Sequence, residues 1–143
     1  MGNFTSQMKA FENMTEKKAE KVFRQACFGI SNEIISKTPA DTSRAKNNWF
    51  PDINKFSTET TEETNPRGSI DEVTKVTNRL KLGTTFTLSN NLDYIEKIEY
   101  GLFTTKAETE KTINGFSRKA PRGMVGVALQ LFDSYVKDAN KSS

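Results

Sequence analysis

Thr85-Phe86-Thr87-Leu88-Ser89-Asn90-Asn91-Leu92-Asp93-Tyr94-Ile95-Glu96-Lys97-Ile98-Glu99-Tyr100-Gly101 changes its hydrophobic period halfway along. The first five residues alternate, with Phe86 and Leu88 on one face and Thr85, Thr87 and Ser89 on the other, which predicts a strand. Asn90 and Asn91 interrupt the alternation and tolerate turn conformations. From Leu92 the period is helical. Tyr94, Ile95 and Ile98 form an apolar stripe that Leu92 extends, while Asp93, Glu96 and Lys97 face outward. Gly101 stands where a short helix needs a left-handed cap. A strand feeding a helix of one or two turns is a scaffold element, and no catalytic residue type is evidently placed on it.

On the N-terminal side, Leu82-Gly83 turns into this strand. Ser69-Ile70-Asp71-Glu72 has the form of a capping box and predicts a helix carrying Ile70, Val73, Val76 (or Thr77) and Leu80. The β-branched run Val73-Thr74-Lys75-Val76-Thr77 would also serve as a strand; helix is the preferred reading. Residues 57–68 are polar, lack any large apolar side chain and end in turn formers, so they are expected to form a long loop, mobile in the isolated chain. Trp49, Phe50, Ile53 and Phe56 suggest an extended segment in which Pro51 demands an edge or a bulge. Ahead of it, Asp41 or Thr42 is expected to cap a short helix that delivers Trp49 to the core.

The strongest helical pattern runs from Thr15, a fitting N-cap, to about Ser36. Ala19, Val22, Phe23, Ala26, Ile30 and Ile34 repeat at three and four residues, with Glu20–Arg24 and Glu33–Lys37 in the favourable i,i+4 order. Gly29 inside it costs about 1 kcal/mol relative to Ala and marks a bend or a close approach of another element. Thr38-Pro39 ends the helix. Residues 1–14 place Phe4, Met8 and Phe11 at helical spacing, as a loose first turn or a mobile arm.

On the C-terminal side, residues 103–119 form a second long connection, with Asn114-Gly115 as a hairpin turn between Ile113 and Phe116. Pro121 is expected to open the last helix, where its missing N–H costs nothing. Met124, Ala128, Leu131 and Tyr135 make one stripe of that helix, and Val125, Leu129, Phe132 and Val136 the adjacent one. So wide an apolar face is expected to be covered mostly within the chain, with part of it left for a second subunit.

The 143 residues suit one domain, 1–143. An apolar share of 34% and a mean hydropathy of −0.66 point to a modest core and generous polar loops, a combination often completed against a neighbour. The net charge of +3 is too small to announce a nucleic-acid binder, but it is unevenly spread. Residues 51–101 hold six basic and nine acidic side chains, whereas residues 111–132 hold Lys111, Arg118, Lys119 and Arg122 and no acid. Such a sided field suits docking to an oppositely charged surface, and equally a solvated basic loop. The single cysteine, Cys27, excludes an internal disulfide and falls in the apolar pattern of the first helix, as a small hydrophobe. With no histidine, Ser-His-Asp and Cys-His chemistry is excluded and a structural zinc site is not expected. No apolar run approaches the length of a membrane span.

Three groups carry whatever chemistry is available. Asp93, Glu96 and Glu99 follow a three-residue rhythm along one helix side. Carboxylates across a cleft could hydrolyse glycosides, but on one helix face they read as a solvated stripe or an interface. Tyr94 and Tyr100 read as core or rim aromatics. Arg118, Lys119 and Arg122 cluster beside Phe116 and a helix N-terminus, where backbone N–H groups attract phosphate, which fits incidental contact with genomic DNA better than sequence recognition. No phosphate-cradling glycine loop occurs.

Three blocks resemble the tail-completion (head–tail joining, or neck) family of long-tailed bacteriophages. Thr38-Pro39-Ala40-Asp41-Thr42-Ser43-Arg44-Ala45, with Trp49 downstream, is similar to the family's Thr-Pro-x-Asp-Thr-Gly-x-Leu/Ala block with its following Trp; Ser43 departs from it where the family has Gly. Asn90 through Tyr94 to Glu99-Tyr100-Gly101 is similar to its Asn-x-x-x-Tyr ending in Glu-Tyr-Gly. Lys119-Ala120-Pro121-Arg122-Gly123-Met124-Val125, running on to Ala128, is similar to its Ala-Pro-x-Gly-Met block. The blocks occur in the family's order across residues 38–128.

The resemblance implies a small α+β subunit in which an antiparallel sheet is packed by long N-terminal and C-terminal helices. It implies no enzyme and no cofactor. Copies would assemble, as a ring-like oligomer, at the head-proximal end of the tail and join the tail tube to the head connector. The partners would be the chain itself and other neck and tail proteins; the place would be the virion, and the host cytoplasm during assembly. Pro39, Asp41, Thr42, Trp49, Tyr94, Gly101, Pro121 and Gly123 are the expected structural anchors. Asp93, Glu96, Glu99, Tyr100, Phe116, Arg118, Lys119 and Arg122 are the expected interface residues. Residues 57–68 and 103–119 would be arms that order when neighbours dock. A tail terminator of the same neck region, a nucleic-acid-binding accessory protein and a small hydrolase are the alternatives.

Overall fold

The structure is a computed structural model that describes residues 15–39, 44–65, 67–102, 112–113, 116–117 and 120–141, with backbone alone at 112–113, 132–133 and 138–140. Helix α1 (Glu16–Lys37) begins where the Thr15 hydroxyl accepts from the Lys18 N–H at 3.2 Å, which satisfies one of the free donors of the first turn. It ends at Thr38, whose extended backbone (φ −74°, ψ 127°) is what the following Pro39 requires. Both i,i+4 ion pairs form, Arg24–Glu20 at 2.9 Å and Lys37–Glu33 at 2.7 Å.

A 3-10 turn (Lys46–Asn48) leads into β1 (Phe50–Ile53), and α2 (Gly68–Thr77) connects it to β2 (Phe86–Ser89). The two strands pair antiparallel with Phe50 opposite Ser89 and Pro51 opposite Leu88. Among the described residues β1 pairs with β2 alone, so Pro51 sits in an edge strand where its missing donor breaks no second ladder. The turn after β1 closes the ladder: Asn54, at a positive φ of 61°, donates its N–H to the Thr85 carbonyl at 2.8 Å, and its side chain accepts from the Thr85 N–H at 2.8 Å. Helix is the form adopted by residues 68–77. The expected capping box is not what starts it, because Ser69 is buried and its hydroxyl accepts from the Trp49 N–H at 3.3 Å.

Helix α3 (Ile95–Tyr100) stops at Gly101, whose φ of 66° is left-handed. The Gly101 and Leu102 N–H groups both turn back to the Lys97 carbonyl, the latter at 3.0 Å. A short ladder joins β3 (Thr112–Ile113) to β4 (Phe116–Ser117), which is the pairing expected around Asn114-Gly115; those two turn residues lie outside the described residues. Helices α4 (Val125–Leu129) and α5 (Phe132–Lys141) end the chain.

The protein is α+β: among the described residues 50% are helical and 10% lie in strands, so helix-on-helix packing carries the core. Helix α1 packs against α5, α2 and α4, while β1 lies on α2. Helix α2 is therefore the helix laid along β1, and the C-terminal helix lies on α1. Gly29 is the reason the two approach. A Cβ there would sit 2.7 Å from the Tyr135 ring, and the Tyr135 hydroxyl donates to Glu33 at 3.0 Å.

The final helix also differs from expectation. It starts four residues beyond Pro121, because Gly123 holds φ 84°, a value no right-handed helix contains. It then breaks after Leu129, where the Leu131 N–H reaches only three residues back, to Ala128 at 3.0 Å. The break splits the apolar stripes. Met124, Ala128 and Val136 are buried, and Leu129 and Leu131 are exposed.

Residues 57–65 have no regular structure, as expected, but instead of being loose they are pinned from within the chain. The Asn48 amide, fully buried, donates to the Thr61 carbonyl and accepts from the Thr61 N–H, both at 2.9 Å. Asn91 donates to the carbonyls of Ser57 at 2.9 Å and Glu59 at 3.0 Å. Arg44 pairs with Glu62 at 2.9 Å.

Candidate functional site

Trp49 is 5% exposed and is held at both ends. Its indole N–H donates to the Thr38 hydroxyl at 2.9 Å, and that hydroxyl donates onward to the Ile34 carbonyl at 2.8 Å. A buried indole needs such a partner, and Thr38 supplies it from the end of α1. With its backbone bonded to Ser69, Trp49 ties together α1, β1 and α2. It packs with Ile98, Met124 and Ala128 in the core.

Glu99 joins the second block to the third. Its Oε1 accepts from the N–H groups of Met124 and Val125, each at 2.8 Å, and its Oε2 from Gly126 at 3.0 Å. Met124, at the N-cap of α4, makes no side-chain cap of its own. A carboxylate from another helix therefore satisfies the free donors of the first turn and faces the positive end of its dipole. The fit is close: a Cβ on Gly123 would lie 2.5 Å from the Glu99 carbonyl oxygen, and one on Gly101 would lie 2.5 Å from the Phe116 ring.

Between these parts lies a hollow of about 140 Å³, bordered by Trp49, Asn90, Ile95, Glu96, Tyr100 and Val125. Asn90 holds one side in place by donating to the Ala45 carbonyl at 3.1 Å while accepting from the Leu92 N–H at 3.2 Å. Tyr100 is 67% exposed at the edge. The expected row of carboxylates is split: Asp93 lies in the turn before α3, Glu96 is exposed on it, and Glu99 is turned inward and fully engaged.

Tyr94 is half-buried against the core, Pro39 is buried, Phe116 is half-buried, and Pro121 and Arg122 are exposed. Asp41, Thr42, Arg118 and Lys119 lie outside the described residues, so the cap expected from Asp41 or Thr42 does as well. The helix N-terminus beside Arg122 is expected to attract phosphate; the N–H groups of Met124, Val125 and Gly126 there are taken by Glu99 instead.

Cys27 is half-buried and burial pushes its thiol up to about 12, which keeps it protonated and unreactive at neutral pH. Among the described residues no group of three acidic, cysteine or histidine side chains could hold a metal ion, and no helix is long and apolar enough to cross a membrane. The arrangement is a joint: an indole and a carboxylate, each completely hydrogen-bonded, lock distant stretches of one chain together. Sequence patterns do not show that Glu99 caps a helix 25 residues away, nor that Asn48 and Asn91 clamp a loop. The paired asparagines at 47–48 and 90–91 were the available signal. Compared with protein-family models, with curated proteins and with solved structures, the chain has no match in any of the three.

Proposed function

We propose that this chain is a structural subunit of the neck of a long-tailed bacteriophage, completing the tail and joining its tube to the head connector. The observation that carries the reading is the meeting of the three blocks that resemble the tail-completion family. Trp49 from the first, Glu99 to Gly101 from the second and Gly123-Met124 from the third form one interlocked joint. Blocks far apart in sequence that meet as mutual supports are what a shared scaffold requires. The engagement of Glu99 and the burial of Trp49 fit a rigid body whose work lies in being held by neighbours rather than in turnover.

The test is deletion of the gene from the genome that encodes it, followed by electron microscopy of the lysate. DNA-filled heads and finished tails that stay separate, rejoined when the chain is supplied in trans, are the expected outcome. Intact and infectious virions without the chain contradict the proposal.

A further inference from the structure

We propose that the groove beside β1 is a docking surface for a second copy of this chain, which enters it with the basic stretch at residues 111–122. The groove has a volume of about 370 Å³ and is lined by β1, the turn that follows it, the start of the 57–65 loop and Glu72 of α2. Its charged lining is the three carboxylates Asp52, Glu59 and Glu72 and the ammonium of Lys55, which stands 3.8 Å from Asp52, while Lys75 of α2 stands 3.3 Å from Glu72. Phe56 stands at its lip at 77% exposure, the highest among the large apolar side chains described. Carboxylates beside an open aromatic face suit a guanidinium or ammonium group, which the former attract and the latter stacks upon.

The wall of this groove is built rather than loose. Asn91 holds Ser57 and Glu59 by their carbonyls, the Thr87 hydroxyl donates to the Lys55 carbonyl, and Asn54 is bonded twice to Thr85. The entropy of ordering these residues is lost on folding, so it is not charged again on association.

Charge identifies the occupant. Residues 51–101 carry a surplus of −3 (six basic, nine acidic), and residues 111–132 a surplus of +4 (four basic, none acidic). Arg122, at the end of the basic stretch, is exposed. Opposite surpluses on two different stretches of the same chain make a head-to-tail contact, in which each copy uses one as donor and the other as acceptor. Such heterologous contacts close into rings or continue as filaments. This deepens the proposed function by naming the surfaces that copies share, and rests on it only for where the assembly would stand.

Sedimentation of the purified full chain at low and high salt tests the proposal. Two charge-reversed variants are needed: Glu59→Lys with Glu72→Lys, and Arg118→Glu with Lys119→Glu and Arg122→Glu. The wild type is expected to associate at low salt and to dissociate as salt rises. Each variant alone is expected to lose about tenfold or more in affinity, and an equimolar mixture of the two to regain it, because each then meets its complement. Phe56→Ser, which changes no charge, is expected to weaken association about fivefold. Circular dichroism confirms that each variant is folded. A wild type that stays monomeric, a variant that associates as the wild type does, or folded variants whose mixture stays monomeric overturns the proposal. So does a monomer that binds a DNA fragment through the basic stretch. Separation of heads from tails on gene deletion, with a salt-independent monomer in solution, would remove this inference and leave the proposed function standing.

Discussion

Gly123 and Gly83 share nearly the same positive φ, 84° and 86°, yet nothing lies within 4 Å of a Cβ at Gly83, whereas the Glu99 carbonyl lies 2.5 Å from one at Gly123. Gly83→Ala is therefore expected to cost about 1–2 kcal/mol, the left-handed penalty alone. Gly123→Ala is expected to cost about 2 kcal/mol more, because backbone must move to relieve the contact. Urea denaturation of both variants measures the difference. Equal losses would mean that the two blocks are not pressed together. Glu99→Ala leaves three helix N–H groups without their acceptor and is expected to cost about 2–3 kcal/mol, with Glu99→Gln intermediate because one oxygen remains. A negligible change in the same titration would show that water replaces the carboxylate at no cost.

At the scale of elements, the contact between α1 and α5 makes two expectations. In an isolated helix Gly29→Ala gains about 1 kcal/mol. Here the new methyl meets the Tyr135 ring, so the substitution is expected to destabilise the wild type and to become stabilising in a Tyr135→Ala background. A double-mutant cycle reads this reversal of sign directly. The same contact should respond to pH. Lys37, through its hydrogen bond, holds the Glu33 carboxyl below its usual 4.5, with help from Tyr135 against the opposing effect of burial. Its stabilisation is present above that value and lost as pH falls through the lowered one. Burial first, and then the Glu33 carboxylate, pushes Tyr135 up to about 12, so its stabilisation is full below about 10 and is lost as pH rises to about 12. Urea midpoints across pH should show both losses, and Tyr135→Phe should flatten the alkaline one. An unaltered alkaline limb in that variant would contradict the assignment.

Helix α1 was legible because its cap, its apolar spacing and its Thr38-Pro39 stop all lie within the segment they govern. The Gly101 cap was legible for the same reason. The start of α4 was not. Pro121 looks like a first helical residue by local preference, and only the packing of Gly123 against Glu99 delays the helix to Val125. The carboxylate row failed likewise, since periodicity places Glu99 on a helix side without saying what packs against that side.

At the scale of the whole molecule, a polar chain uses Asn48, Asn54, Asn90, Asn91 and one carboxylate to hold loops and a helix end in place. Trp49, Tyr94 and Gly101 could be singled out from sequence as landmarks, but their convergence with Gly123 and Met124 depends on long-range contacts that no local pattern encodes. The central claim is that this joint makes a rigid subunit whose use is in the neck of a virion. An electron cryomicroscopy map of particles produced by the genome that encodes the chain tests it most directly. The account predicts several copies of this fold between the head connector and the tail tube, with the Trp49–Glu99–Met124 joint intact in each. A neck fully built from other chains, with this one absent from the purified particle, would contradict it.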